Sequence, residues 1–141
     1  MSKQLPYILL ADDDPDDLET FTNAYTRLNP SVFVETVNDG KELFDVLDGC
    51  DPDELPTLIL LDFKMPLISG PEVLQRLASS MEYASIPKLV WSTSERPKDI
   101  EQCQKFGAEH YFRKPATSRE ADELVRQIDK IFIARRQILK S

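Results

Sequence analysis

The stretch Thr57-Leu-Ile-Leu-Leu-Asp62-Phe-Lys-Met-Pro66 constrains this chain more than any other, because four consecutive aliphatic residues, Leu58 to Leu61, run straight into a single Asp. An unbroken apolar run of that length suits a strand covered on both faces, and such strands belong to parallel sheets flanked by helices. In those sheets chemistry gathers at the carboxyl ends of the strands, which is where Asp62 falls. Taken alone, Asp62 reads first as a turn former. Its neighbours in space decide the matter.

The pattern recurs along the chain. Tyr7-Ile-Leu-Leu-Ala11 ends in Asp12-Asp13-Asp14, Val32–Val37 forms a short run, Ile86–Ser92 finishes at the hydroxyls Ser92-Thr93-Ser94, and His110-Tyr-Phe-Arg-Lys114 stops at Pro115. Helical patterns lie between these runs. Asp14-Pro15 supplies an N-cap and a first-position proline, with Asp16, Asp17 and Glu19 favoured by the helix dipole. From there Leu18, Phe21, Thr22, Tyr25 and Leu28 recur at helical spacing, and Asn29-Pro30 stops the run. Asn38-Asp-Gly40 turns into a helix from about Lys41 to Leu47, with Leu43, Phe44 and Leu47 inward.

Gly49 to Pro56 reads as a polar connection. After Asp62, a loop in which Gly70 supplies backbone freedom leads to a helix ending near Ser80. Pro97 opens the next helix and Gly107 closes it. Thr117-Ser-Arg-Glu120 matches a capping box for the last helix, which carries Leu124, Val125, Ile128, Ile131 and Phe132 on one face.

Five strand–helix units of this length imply right-handed crossovers and an α/β fold, a (βα)5 doubly wound parallel sheet; the expected strand order is 2-1-3-4-5, that of flavodoxin-like folds. Its binding crevice lies where the order reverses, between strands 1 and 3. Asp12 and Asp13 end one of those strands and Asp62 the other, while Ser92 and Lys114 end strands 4 and 5. Each residue has an ordinary structural explanation as a cap, a turn former or a solvated charge. Five such placements on one rim point to a site.

With 141 residues the chain reads as one domain able to bury a core without staples. A net charge of −8 argues against nucleic acid as a partner, since nucleic-acid surfaces demand basic patches. There is no apolar run long enough to span a membrane and no signal-peptide core after Met1, so a cytoplasmic location is expected. Cys50 and Cys103 lack ligand-like spacing and read as packing residues.

These residues resemble the receiver domain of two-component response regulators, the CheY-like family, over about residues 5 to 133. The carriers are Asp12-Asp13 in ILLADDDPDD, Asp62 in LILLDFKMPLISG, Ser92 in LVWSTS, Tyr111 in EHYFRKP and Lys114-Pro115. The ADDDPDD opening and the STS triplet look most like single-domain regulators that accept phosphate from phytochrome-type kinases. The resemblance implies that Asp62 is the phosphoacceptor, charged by a sensor histidine kinase or a phosphotransfer protein. It implies Mg²⁺, with Mn²⁺ or Ca²⁺ as substitutes, held by Asp13, Asp62 and the backbone carbonyl of Lys64, with Asp12 acting directly or through water.

The resemblance further implies that Lys114 pairs with a phosphoryl oxygen and, before transfer, with Asp62, that Ser92 donates a hydrogen bond to the phosphoryl group, and that Tyr111 follows Ser92 inward to change the surface of helix 4, strand 5 and helix 5. Lys64 and Thr93 lie where the family tunes phosphoryl lifetime. Activity of the chain itself is expected to stop at self-phosphorylation and self-dephosphorylation. Two alternatives stay open: a Mg²⁺-dependent phosphatase, which would want an acid where Lys64 stands, and an inactive interaction module, against which the five competent positions speak.

Residues 1–141 thus read as a single receiver domain with a C-terminal extension of helix 5 at 133–141. Ile133-Ala-Arg-Arg-Gln-Ile-Leu-Lys140 keeps helical propensity to about Leu139. Ile133, Ile138 and Leu139 then lie outside the core, where they either pack on a second copy to form a homodimer or fray. His110, the one histidine, opens a strand and reads as structural.

Overall fold

The structure is a computed structural model that describes residues 7–140, with side chains as far as residue 135. In chain order the elements are β1 (Tyr7–Ala11), α1 (Pro15–Leu28), β2 (Phe33–Val37), α2 (Gly40–Asp48), β3 (Leu58–Asp62), α3 (Gly70–Ser79), β4 (Lys88–Ser92), α4 (Pro97–Lys105), β5 (His110–Arg113) and α5 (Ser118–Lys140). One 3₁₀ turn, Pro52–Glu54, lies in the connection expected to be irregular, where Glu54 caps the amide of Asp51 at 3.0 Å.

All five strands run parallel in the order β2-β1-β3-β4-β5. The three central strands are buried along their whole length, whereas the edge strands β2 and β5 are partly exposed. Alternation divides the apolar runs between two layers. Ile8, Leu10, Leu58, Leu60, Leu89 and Trp91 face α1 and α5, while Tyr7, Leu9, Ile59, Leu61 and Val90 face α2, α3 and α4. Each fully buried Leu or Ile contributes about 1.5–3 kcal/mol relative to exposure, so burial on both faces holds the sheet between its two helical layers.

The register sets the site. Ala11 pairs with Leu61 across β1 and β3, which brings Asp12 level with Asp62 on the same rim. Asp62 in turn pairs with Trp91, the residue before Ser92. The helix starts behave as their sequences require: Asp14 accepts from the Asp16 amide at 2.9 Å, and Asp39 accepts from the Glu42 amide at 2.8 Å. At α5, Thr117 accepts from the Glu120 amide at 3.1 Å, but Glu120 reaches back to the Ala116 amide rather than to Thr117 itself.

Gly70 departs from the reading given above. Its backbone needs no unusual dihedral; instead, a Cβ there would meet the carbonyl oxygens of Asp62 and Phe63 at 2.7 and 2.8 Å. Glycine is present for close approach, and the left-handed residue of this loop is Leu67, at φ 70°. Gly107, at φ +104°, does end α4 in the left-handed region. Helix α5 continues to Lys140, and Ile133 is 44% exposed outside the core. The side chains of Ile138 and Leu139 lie outside the described residues.

Candidate functional site

Three carboxylates meet where the strand order reverses. Asp12, Asp13 and Asp62 each present one oxygen, and these oxygens all lie within 4.8 Å of one another. Asp12 is fully buried, Asp62 is 5% exposed, and Asp13 stands at the surface. The two buried acids are built alike. One oxygen of each is tied to its own loop, Asp12 Oδ1 to the Asp14 amide at 2.9 Å and Asp62 Oδ1 to the Lys64 amide at 3.2 Å. The other oxygen of each turns toward the ammonium of Lys114.

Lys114 reaches this point because its backbone amide is held by the Ser92 carbonyl at 2.8 Å, directly beyond β5. Its Nζ lies 2.8 Å from Asp12 Oδ2 and 3.2 Å from Asp62 Oδ2. It also lies 5.3 Å from the ring centre of Trp91, which packs edge-on against Phe21 below. Although the ammonium is an ion-pair partner of Asp12 Oδ2, that oxygen lacks a properly aligned hydrogen bond.

One lysine is too little charge for this much acid. At an effective dielectric near 20, two carboxylate oxygens 4.8 Å apart repel by about 3.5 kcal/mol. Burial and this repulsion both favour the protonated form of a carboxyl here. Burial pushes the Asp12 carboxyl up to about 7, against the pull of Lys114 and the Asp14 amide and with Asp62 adding to the rise. Burial likewise raises Asp62, opposed chiefly by Lys114. Burial lowers Lys114, but the carboxylates around it outweigh that and raise it, so it stays charged.

A divalent cation fits these residues. The donors are hard oxygens, one buried oxygen lacks a hydrogen bond, and Asp13 lies toward solvent, leaving room for the waters that Mg²⁺ retains. A cleft of about 520 Å³, lined by Asp13, Lys64, Met65 and Gln102 among others, opens beside the acids.

The remaining expected residues sit around this centre. Ser92 is buried, and its Oγ accepts from the Ser94 amide at 3.0 Å, which leaves its own proton to donate. The side chains of Lys64 and Thr93 are exposed, each beside the buried rim residue it follows by one or two positions. Tyr111 is half-buried on β5, and its hydroxyl donates to the Ser94 carbonyl at 2.9 Å. Ser94 Oγ donates to Asp99 of α4 at 2.6 Å, so a chain of hydrogen bonds ties β5 to α4 through the loop after Ser92.

Asp17 is the residue that sequence reasoning passed over as a site member. It lies in the first turn of α1, where the helix dipole alone accounts for an acid, yet its Oδ2 accepts from Lys114 Nζ at 2.8 Å. The excess of acid between Asp12 and Asp17 was visible; which of those acids faces Lys114 depends on how α1 crosses the end of β5. His110 is exposed and stacks on Phe112 with ring centres 5.8 Å apart. Among the described residues no helix is long and apolar enough to cross a membrane.

Comparison with known proteins agrees with this geometry. The profile of the response regulator receiver domain matches residues 8–128. The two-component response regulator ORR3 of Oryza sativa subsp. indica is 29% identical over 124 residues, covering 87% of this chain and 90% of its own. Among solved structures, the phosphorylated cyanobacterial phytochrome response regulator RcpA is 28% identical with a TM-score of 0.83, covering 92% of this chain and 95% of that one. Response regulator RPA3017, in red light signaling of R. palustris, is 28% identical with a TM-score of 0.78, covering 88% and 91%. From the sheet order, the acid cluster at its switch point and a profile spanning most of its length, the chain belongs to the response regulator receiver domain family, the phosphoacceptor switches of two-component signalling.

Proposed function

We propose that Asp62 is the phosphoacceptor of this receiver and that it is charged by the phosphohistidine of a sensor histidine kinase or of a phosphotransfer protein. The observation that carries this reading is the meeting of Asp12, Asp13 and Asp62 within 4.8 Å, with the Lys114 ammonium over the two buried members. A carboxylate oxygen of Asp62 attacks phosphorus and the phosphorus–nitrogen bond breaks. The imidazole leaves with the electron pair, and an acyl phosphate remains on Asp62.

Phosphoryl transfer asks for little covalent help and much positioning and charge neutralisation. The Lys64 amide orients Asp62, and Lys114 offers the ammonium that meets a phosphoryl oxygen. Asp12, Asp13, Asp62 and the backbone carbonyl of Lys64 are the groups that would hold Mg²⁺, with Mn²⁺ or Ca²⁺ able to replace it; the ion neutralises charge on the transferring group. The Ser92 hydroxyl donates a hydrogen bond to a phosphoryl oxygen, and Tyr111, now bonded to the Ser94 carbonyl, follows Ser92 inward as that loop moves. The α4–β5–α5 surface then changes for protein partners.

A phytochrome-type kinase is the narrower partner, supported by the likeness to RcpA and RPA3017. Residues 1–141 act as one receiver unit in the cytoplasm, and the exposed Ile133 on extended α5 offers a contact to a second copy. The chain phosphorylates itself from small phosphodonors and slowly dephosphorylates, but turns over no metabolite. The phosphatase reading is disfavoured because Lys64, exposed and basic, stands where such enzymes place a general acid.

The test is to incubate the protein with acetyl phosphate and Mg²⁺ and weigh it intact. A gain of one phosphoryl group is expected, absent when EDTA replaces Mg²⁺ in the reaction and absent in Asp62→Asn. An unchanged mass with Mg²⁺ present would sink the reading.

A further inference from the structure

Lys114 carries three N–H donors, and three carboxylates surround them: Asp12 and Asp17 at 2.8 Å and Asp62 at 3.2 Å. The carboxylate nearest the proposed chemistry is therefore the most distant of the three. Asp17 differs from the other two in several ways. Its side chain is 30% exposed, against 0% for Asp12 and 8% for Asp62, so it lies on the solvent side, from which a phosphoryl group must arrive. It is also absent from the group of acids able to share a cation, which among the described residues holds Asp12, Asp13 and Asp62.

Were that trio to hold a cation, Asp12 and Asp62 would share their lone pairs with it and two of the three contacts to the ammonium would loosen, while Asp17 would keep its hold. A first-turn acid needs no such contact to serve the helix dipole, and Asp14 and Asp16 already supply the cap and a neighbouring charge. Asp17 spends its carboxylate on a lysine 97 residues away in the chain. The backbone of Lys114 is fixed by Ser92 and its ammonium rests over Trp91, so only the tip of the side chain is free to change partners.

From these contacts we propose that Asp17 is a positioning residue that anchors the Lys114 ammonium in the unphosphorylated protein, so that a phosphoryl group on Asp62 has to draw the ammonium away from it. The inference rests on the phosphoacceptor reading of Asp62. Asp17 thereby favours the off state of the switch without touching the phosphoryl group, and its removal makes the phosphorylated form easier to reach.

The experiment titrates the full chain, at saturating Mg²⁺, with beryllium fluoride, which occupies an aspartate in place of a phosphoryl group. Binding is followed by fluorine NMR and by the fluorescence of Trp91, the one tryptophan. Asp17→Asn is expected to bind the analogue about fivefold tighter than the unaltered protein, in keeping with loss of a partly exposed ion pair. Asp17→Glu should return the affinity to the starting value, and Asp17→Ser serves if the amide variant folds poorly. Mg²⁺ affinity should stay within about twofold of the original, since Asp17 lies outside the cation group.

Equal or weaker binding by Asp17→Asn and Asp17→Ser overturns the proposal, as does a loss of Mg²⁺ affinity comparable to that of Asp13→Asn, which would make Asp17 a metal ligand. If the unaltered protein binds no beryllium fluoride and gains no mass from acetyl phosphate, the phosphoacceptor reading itself falls, and the role of Asp17 with it. Where the unaltered protein responds and the variants match it, only the anchor is lost.

Discussion

Replacing Asp13 by Asn removes one charge from the acid cluster and nothing from the core, which makes its consequence calculable. Asp13 faces two carboxylates whose oxygens lie within 4.8 Å. Each pair repels by about 0.9 kcal/mol at the dielectric of water and by about 3.5 kcal/mol at an effective dielectric of 20. Because Asp13 is exposed, the lower bound is nearer, and Lys114 screens part of what remains. The metal-free variant should therefore gain about 1–2 kcal/mol, or roughly 3–8 °C in melting temperature for a chain of this size.

Magnesium should reverse the order. At a hundred times its dissociation constant the ion would stabilise the unaltered protein by about 2.7 kcal/mol, whereas the variant, short of one proposed ligand, should gain little. The melts belong at pH 8, in EDTA and in Mg²⁺. There Asp12 is ionised: its folded-state value of about 7 exceeds the usual ~4 of a free Asp side chain. That elevation contributes stability fully present below pH ~4 and lost as pH rises through 7, so the advantage of Asp13→Asn should shrink on acidification. A variant that melts at or below the unaltered protein in EDTA, or that Mg²⁺ stabilises equally, would refute the reasoning.

Other outcomes follow from the same geometry. Gly70→Ala drives a Cβ into the carbonyls of Asp62 and Phe63, so it should cost about 2 kcal/mol or more in chemical denaturation and slow phosphorylation by acetyl phosphate; normal values for both would show that the loop yields easily. Thr93 is exposed beside Ser92, where it can hinder an attacking water, and Thr93→Ala should shorten the acyl-phosphate lifetime measured by intact mass over time. Cutting the chain after Phe132 removes Ile133 and the Arg135 contact to the Ser85 carbonyl at 3.3 Å. If α5 joins two copies, sedimentation should show a lower mass for the shortened protein, and an unchanged mass excludes that dimer.

The elements were legible because each is governed by local chemistry. Unbroken runs such as Leu58–Leu61 can be satisfied only between two helical layers, and Asp14-Pro15 or Asp39-Gly40 start helices whatever lies around them. Misreadings arose where a residue answers to distant neighbours. In sequence Gly70 offers backbone freedom, but in the fold its lack of a side chain serves the carbonyl of Asp62. The position of Asp17 suits the helix dipole, but its carboxylate faces Lys114.

The strand–helix alternation and the polar residues ending the strands are written locally, because hydrophobic period, caps and turn residues act over a few positions of chain; the order of the sheet followed from analogy with flavodoxin-like folds. How those groups share charge is a property of the folded molecule: Asp12 is sealed while Asp13 is wet, one lysine answers three acids, and Tyr111 reaches Asp99 through Ser94. Electrostatic energy depends on separation and burial, and both are set by how α1 and the loops after β3 and β4 close over the strand ends.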